Sequence, residues 1–524
     1  MDDIAIHFLH NVRSVVKSFW IIFPIMWWNS DQIAHHTRSR CLELSQPLYL
    51  RLYHRIISMS VTKDPRDSLR INLQVEDALK IGKLLGTQYD AVALCRDGHR
   101  SSQMIEQALI SGILSTGGNV YLAGECPAPA MPYARSGCDC YVTIAADDRE
   151  KMGGIIIHHP DGSYFDEMKI HSLFSKEERI LYPKYDGIGE VHKLYGINNR
   201  YLEEVCKNVM KANTQVILDG MHIGPTSLAA NILKECESDV LVFNRSRVTS
   251  VMSISEYTSS DLESVMKSYP GSIAAALSND GSRIMVFDES GKPVNNWALA
   301  ALLVKILRPT QVVAPVDVSL AVTDLFINKD RGDDEDQDDV GNVIKVNRNI
   351  KRIVDYMRER NNQAGMDYLK GQVQFGMDSK GRFIFPQISY TPDGIFALAL
   401  LAEYASENSI SEAIKPFAIK DITNEYDVSG EASYYTIRKD MFVNISEEDF
   451  TTRMVDEVTS LGNRSIFIVV MDGIRVEFED GWMFFDFDAE NQCVHILCEA
   501  RDKAYVVSLL DMGISFVEAI TISD

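Results

Sequence analysis

The 524-residue chain is short of several things at once. Nine cysteines are too few to form the disulfide framework of a secreted scaffold, and they fit a reduced, cytoplasmic protein. Positive charge is scarce: 52 Lys and Arg stand against 74 Asp and Glu, a formal net charge of −22. A surface this acidic repels phosphate backbones, which argues against nucleic-acid binding. Neither the glycine-rich phosphate loop ending in Lys-Ser or Lys-Thr nor the GxGxxG turn occurs, so nucleotide binding has no support. The apolar stretch 19–28 has ten residues with Pro24 inside. That is half of the ~20 a bilayer-spanning helix needs.

What is present is an ordinary globular composition, 46% apolar and 24% charged. At ~150 residues per domain the length suits three or four domains. Residues 1–58 stand apart, with three of the five tryptophans and five of the twelve histidines. They read as an extension, disordered or belonging to an upstream start, with Met59 as a natural first residue. An interfacial membrane anchor and a signal peptide are the other readings, the latter weakened because no small-residue cleavage site follows. Seven of the ten residues 330–339 are acidic. They lack calcium-loop spacing and read as a solvated surface loop.

From residue 75 helical and strand patterns alternate. Helices are expected over 75–85, 101–116, 262–269, 297–307, 320–326 and 394–407, with another opening at Pro225. Strands are expected over 90–95, 120–123, 141–145, 216–219, 240–243, 272–277, 284–287 and 311–314. The last quarter differs: a strand at 434–438, a helix over 447–461, strands over 466–471 and 474–487, a helix after Ala500 and a strand at 514–517. Three βαβ-type units followed by an α+β unit is the expected α/β architecture.

Several segments, in order, resemble the α-D-phosphohexomutase superfamily of phosphoglucomutases, phosphomannomutases and phosphoglucosamine mutases. They are Ala78-Leu79-Lys80-Ile81-Gly82, Cys95-Arg96-Asp97 with Ser101-Ser102, and Ala108-Leu109 through Gly117. Pro127-Ala128-Pro129-Ala130, Phe383-Ile384-Phe385-Pro386, Thr391-Pro392-Asp393-Gly394, Asp472-Gly473-Ile474-Arg475 and Asp480-Gly481-Trp482 complete the set. The resemblance implies three phosphohexomutase α/β domains (59–190, 191–296, 297–412) and a C-terminal α+β domain like the TATA-box-binding protein (413–524) around a central cleft. It also implies chemistry on four loops, one per domain.

Each loop departs from that pattern. The loop that carries the phosphoserine reads Thr143-Ile144-Ala145-Ala146-Asp147-Asp148, with Ala145 in the nucleophile slot and Asp147 as a possible surrogate acceptor. The Mg²⁺ loop reads Ser278-Asn279-Asp280-Gly281-Ser282-Arg283, so only Asp280 of three carboxylates remains. The sugar loop keeps Asp378, Lys380 and Arg382 as remnants. The phosphate clamp has Asp486 in its arginine slot, with Asp488 and Glu490 adding charge that would repel a phosphate. Arg70, Arg96, Arg100 and Arg283 are further cleft candidates.

These departures lead to the expectation of a family member that has lost mutase catalysis, needs no Mg²⁺ or other cofactor, and acts as a binding or regulatory partner of an active paralogous mutase or of its own copy. The alternative is an active intramolecular phosphotransferase of carbohydrate metabolism with atypical residues. No nucleic-acid partner is expected, and no membrane unless residues 1–58 anchor the chain.

Overall fold

The computed structural model describes residues 71–522 except 73, 135–136, 147–152, 166–179, 181, 222, 245–259, 328–341, 365–371, 424–431, 460–466 and 490. The expectations for 1–58, for the acidic run 330–339 and for Arg70, Asp147 and Glu490 lie outside the described residues.

The first sheet has the order β1 (Ile71–Asn72), β5 (Gly153–His158), β4 (Cys140–Ala146), β2 (Ala91–Arg96), β3 (Asn119–Glu125), β6 (Val191–Lys193). Its strands are parallel from β4 to β6, and β5 closes it as an antiparallel partner of β4. The helices Val75–Gln88 and Arg100–Ser115 pack tightly together because each offers a glycine at the crossing. A Cβ on Gly82 would lie 2.4 Å from the Leu109 carbonyl oxygen, and one on Gly112 would lie 2.3 Å from that of Leu79.

The second sheet runs β10 (Ile284–Phe287), β9 (Ile273–Leu277), β7 (Gln215–Asp219), β8 (Asp239–Phe243). The third runs β12 (Asn342–Val346), β11 (Gln311–Pro315), β13 (Phe375–Met377), β14 (Phe383–Ile384). Both repeat the plan of the first: parallel strands finished by one antiparallel hairpin, β9–β10 or β13–β14. The helices Asn296–Leu307 and Gly394–Ala405 are apolar almost all round and fill the core that these two sheets share.

The fourth sheet is built differently. Its order is β15 (Ile419–Asp421), β16 (Tyr434–Phe442), β20 (Cys493–Ala500), β19 (Gly481–Asp488), β18 (Ile474–Glu477), β17 (Phe467–Val470), antiparallel except for β15 with β16. The helices Glu447–Thr459 and Lys503–Ile522 share its apolar core. The strand expected at 514–517 is instead part of that last helix. Val506, Leu509, Leu510, Gly513, Phe516, Val517 and Ile520 are its buried residues, a helical spacing.

Buried polar pairs join the sheets. Arg475 is 1% exposed, lies 4.2 Å over the Trp482 ring, and donates to the Val316 and Val318 carbonyls from sheet four to sheet three. Glu499 accepts from the Ser319 hydroxyl (2.7 Å) and the Leu320 N–H (2.7 Å). Arg348, just after β12, donates to both carboxylate oxygens of Asp486, at 2.9 and 2.6 Å, and its guanidinium lies 4.7 Å from the Phe484 ring centre. Asp393 caps the helix Gly394–Ala405, accepting from the Ile395 and Phe396 N–H groups, while the Tyr201 hydroxyl donates to both its oxygens at 2.8 Å.

Two predictions follow from these pairs. The side chains of Arg348 and Asp486 are 10% and 15% exposed, so losing one charge strands the other. Asp486→Arg sets two guanidinium groups together and should lower the unfolding free energy by about 3–5 kcal/mol in a denaturant melt. The second concerns pH. Burial pushes the carboxyls of Asp393 and Glu499 up to about 7, so each holds its proton more tightly folded than unfolded. Their contribution is present below their unfolded values, near 4, and is lost as pH rises to about 7. His158 acts in the opposite sense: burial lowers it to about 4, and its contribution is lost as pH falls from 6.5 toward 4. Two protons outweigh one, so calorimetry should show Tm falling from about pH 5 to about pH 7. Asp393→Asn, which keeps a capping side chain, should flatten that slope.

Candidate active site

All four loops singled out in the sequence are turns of antiparallel hairpins: between β4 and β5, β9 and β10, β13 and β14, and β19 and β20. Residues 147–152 of the first loop and Glu490 of the fourth lie outside the described residues. The structure brings the first three together and ties the fourth to sheet three.

At the first turn, Ala145 and Ala146 are the last residues of β4, paired with Gly154 and Gly153, and both are buried. The end of this strand is held by Asp97. Its Oδ2 accepts from the Ala146 N–H (2.8 Å) and from the Asn279 amide (2.9 Å), and its Oδ1 accepts from the His99 N–H (3.0 Å). Asn279 also donates to the Ala146 carbonyl at 2.8 Å, so the second turn is bolted to the strand end of the first sheet.

In the second turn Asp280 is buried, and its Oδ1 accepts from the Ser278 hydroxyl (2.7 Å), the Ser282 hydroxyl (2.7 Å) and the Ser282 N–H (3.0 Å). The same Asp-x-Ser geometry recurs at Asp161 with Ser163 and at Asp288 with Ser290. Asp280 therefore acts as a turn cap. The Mg²⁺ implied by the resemblance does not fit this donor set: hydroxyls stand where carboxylates would be needed, and three donors converge on one carboxylate oxygen. Among the described residues no group of three or more His, Cys, Asp or Glu is placed to hold a metal ion.

The third turn meets the second through a β-bridge between Arg283 and Arg382, with the Ile284 N–H donating to the Gly381 carbonyl. Asp378, expected to accept from a sugar, is 2% exposed and turned inward. It accepts from the Lys380 N–H, the Arg382 N–H and the Arg382 Nε (2.5 Å). Lys380 is half-buried in the same turn. Gly394 donates its N–H to the Gly281 carbonyl, which seats the helix Gly394–Ala405 on the second turn.

The expected repulsive acidic pocket at the fourth loop needs correction. Asp486 is neutralised by Arg348, and Asp488 accepts from Asn491 and lies 3.9 Å from His495. The cation missing from position 486 is supplied from sheet three, 138 residues away. Of the other arginines, Arg96 pairs with Glu106 and Glu125, both at 3.1 Å, within the first sheet. Arg100 is exposed at the start of its helix. Burial raises the Glu106 carboxyl despite Arg96, and its Oε1 and the Ser102 hydroxyl are buried without a hydrogen-bond partner.

Sequence reasoning passed over Asp97, Asn279 and Arg348 as site-forming residues. Asp97 and Asn279 lie inside motifs already singled out. Each lies within two residues of the end of an apolar strand, and that placement is the available signal for polar groups anchored at strand ends. Arg348 carries no local signal.

Residues 60–178 match the family described as phosphoglucomutase/phosphomannomutase, alpha/beta/alpha domain I. A probable phosphoglucosamine mutase of Methanocella arvoryzae is 27% identical over 458 residues, 84% of this chain and 94% of its own. One of Pyrococcus horikoshii is 26% identical over 88% of this chain and 97% of its own. The phosphoglucosamine mutase of Methanococcus maripaludis is 24% identical over 85% and 96%. Among solved structures, a phosphoglucomutase/phosphomannomutase family protein of Burkholderia thailandensis superposes with a TM-score of 0.66 at 17% identity, covering 86% of this chain and 96% of its own. The open form of the Paramecium phosphoglucomutase parafusin gives 0.59 at 12%, covering 86% and 92%. These relatives overturn the expectation of a catalytically silent partner. Chains named for the mutase reaction align over 84–88% of this chain, and that backs the alternative of an active phosphotransferase better than a silent partner. These findings support the α-D-phosphohexomutase superfamily as the one this chain is similar to.

Proposed function

We propose that the chain is an intramolecular phosphotransferase of the phosphohexomutase type, and that it acts on an amino-hexose phosphate. The observation that carries this reading is the near full-length alignment with relatives named phosphoglucosamine mutase. The joining of the first strand end and the second turn at Asp97 and Asn279, with the third turn bridged to the second, supports it, because a transferred group needs a rigid seat.

The chemistry has to accommodate the alanines. Neither Ala145 nor Ala146 offers an oxygen, so the phosphoryl acceptor in this reading is the carboxylate of Asp147, which follows Ala146 directly in the sequence. A carboxylate accepts a phosphoryl group as an acyl phosphate. Transfer from it to O1 of a hexosamine 6-phosphate gives the 1,6-bisphosphate, and return of the O6 phosphoryl group to the carboxylate leaves the 1-phosphate. Asp97 and Asn279 hold the backbone of Ala146 on both its N–H and C=O sides.

The test is ³¹P NMR of the purified chain with glucosamine 6-phosphate and a trace of the 1,6-bisphosphate as phosphoryl donor. Interconversion with the 1-phosphate is expected, faster than with glucose or mannose phosphates. Asp147→Ala should lower kcat at least about a thousandfold, as removal of a nucleophile does elsewhere. Asp148→Ala should be far milder. No turnover of any hexose phosphate would overturn the reading, and turnover untouched by Asp147→Ala would overturn the aspartyl route alone.

A further inference from the structure

The helix Ile197–Asn208 links the first sheet to the rest of the molecule. Arg200 donates from Nε and Nη2 to the Tyr133 and Ala134 carbonyls of the first unit, and Tyr201 donates to the buried Asp393. Near its C-terminal end stands Cys206, half-buried, with its sulfur 3.7 Å from that of Cys236. Cys236 is 5% exposed and immediately follows the helix Ile223–Glu235 of the second unit. The backbone of Cys236 is fixed on both sides: its N–H donates to the Ile232 carbonyl, and its carbonyl accepts from the Ala212 N–H at 2.7 Å. The two thiols lie 30 residues apart in sequence, one in its helix and the other just past the end of the next.

We propose that Cys206 and Cys236 form a reversible thiol–disulfide switch that locks the linking helix to the second sheet's helix. The sulfurs need to approach by about 1.7 Å to reach bonding distance, within the reach of a side-chain rotation at a helix end. The oxidant is a low-molecular-weight disulfide. The Cys206 thiolate attacks one of its sulfurs and expels a thiolate, leaving a mixed disulfide on Cys206. The Cys236 thiolate then attacks the Cys206 sulfur and expels the second small thiolate. The two protons from the cysteines go to the two released thiolates, and the small disulfide is reduced by two electrons.

The order of attack follows from exposure, since solvent reaches Cys206 more readily than Cys236. Burial raises both thiols, Cys236 to about 12, and the carboxylates Glu235, facing both, and Glu403, facing Cys236, act in the same direction. Oxidation is therefore slow at neutral pH and the bond is kinetically guarded, as suits a switch thrown by sustained oxidising conditions rather than by brief exposure.

The test uses the full chain, native and folded, incubated with glutathione disulfide and then alkylated, with intact mass and peptide mapping. The expected product has lost two hydrogens (about 2 Da), carries a Cys206–Cys236 cross-link, and melts a few degrees higher, all reversed by dithiothreitol. Cys236→Ser should instead accumulate the glutathione adduct on Cys206, and Cys206→Ser should form neither product at this site. A stable adduct on Cys206 of the unmutated chain, with no internal bond, would overturn the proposal. So would a cross-link that forms only in denaturant.

Discussion

The carboxylate of Asp97 is the point on which the centre of the molecule depends. It lies at the end of β2, is 9% exposed, and accepts backbone N–H groups from His99 and Ala146 and the side-chain amide of Asn279. One buried anion thus joins two strands of the first sheet to the hairpin turn of the second. An anion in that place is stable only with its lone pairs filled, and filling them sets where the three chain segments end. The second turn in turn holds Ala128 through the Asp280 carbonyl and Gly394 through the Gly281 carbonyl, so the order imposed at Asp97 passes to the third sheet.

The same logic explains why residues that look like relics of a metal site are used as turn chemistry. Asp161, Asp280 and Asp288 each take the N–H and hydroxyl of a serine two residues on. A serine at that spacing satisfies the carboxylate locally, and a third carboxylate there would have needed a cation to offset the repulsion. The replacements in the second turn are therefore mutually consistent: with Ser278 and Ser282 present, Asp280 is satisfied by hydroxyls and backbone.

Much of this architecture is legible in the chain. Alternation of apolar strands with helical stripes marks three α/β units, and the glycines of the first two helices mark a close crossing that the structure places at Gly82 and Gly112. The short strands β6, β12 and β15 escape such reading because each has only three to five residues and little apolar burial. The last helix misleads because Ile514, Phe516 and Val517 are strand formers when taken alone, and only the longer run from Val506 to Ile520 shows the helical period. The site is less legible than the fold. A hairpin turn shows which residues it contains, but not which of them turn inward, and Asp378 and Asp280 both turn inward to serve the turn itself.

Charge is where single-position reasoning fails most clearly. Taken alone, an aspartate at 486 in place of an arginine means repulsion for any phosphate nearby. In the folded chain that aspartate and Arg348 form a forked pair, and the guanidinium stands over Phe484 of the fourth sheet while its backbone belongs to the end of the third. Asp472 extends the arrangement, accepting from the Arg348 N–H and from the Asn347 amide. The positive charge has moved from one sheet to another, where the one guanidinium offsets Asp486 while Asp472 accepts from the Arg348 backbone N–H. A field depends on where charges end up and not on which segment carries them. The sign of the surface presented at the fourth turn is therefore set jointly by Arg348, Asp472, Asp486 and Asp488, residues spread over 141 positions of sequence. An acidic motif read by itself is silent about that joint sign.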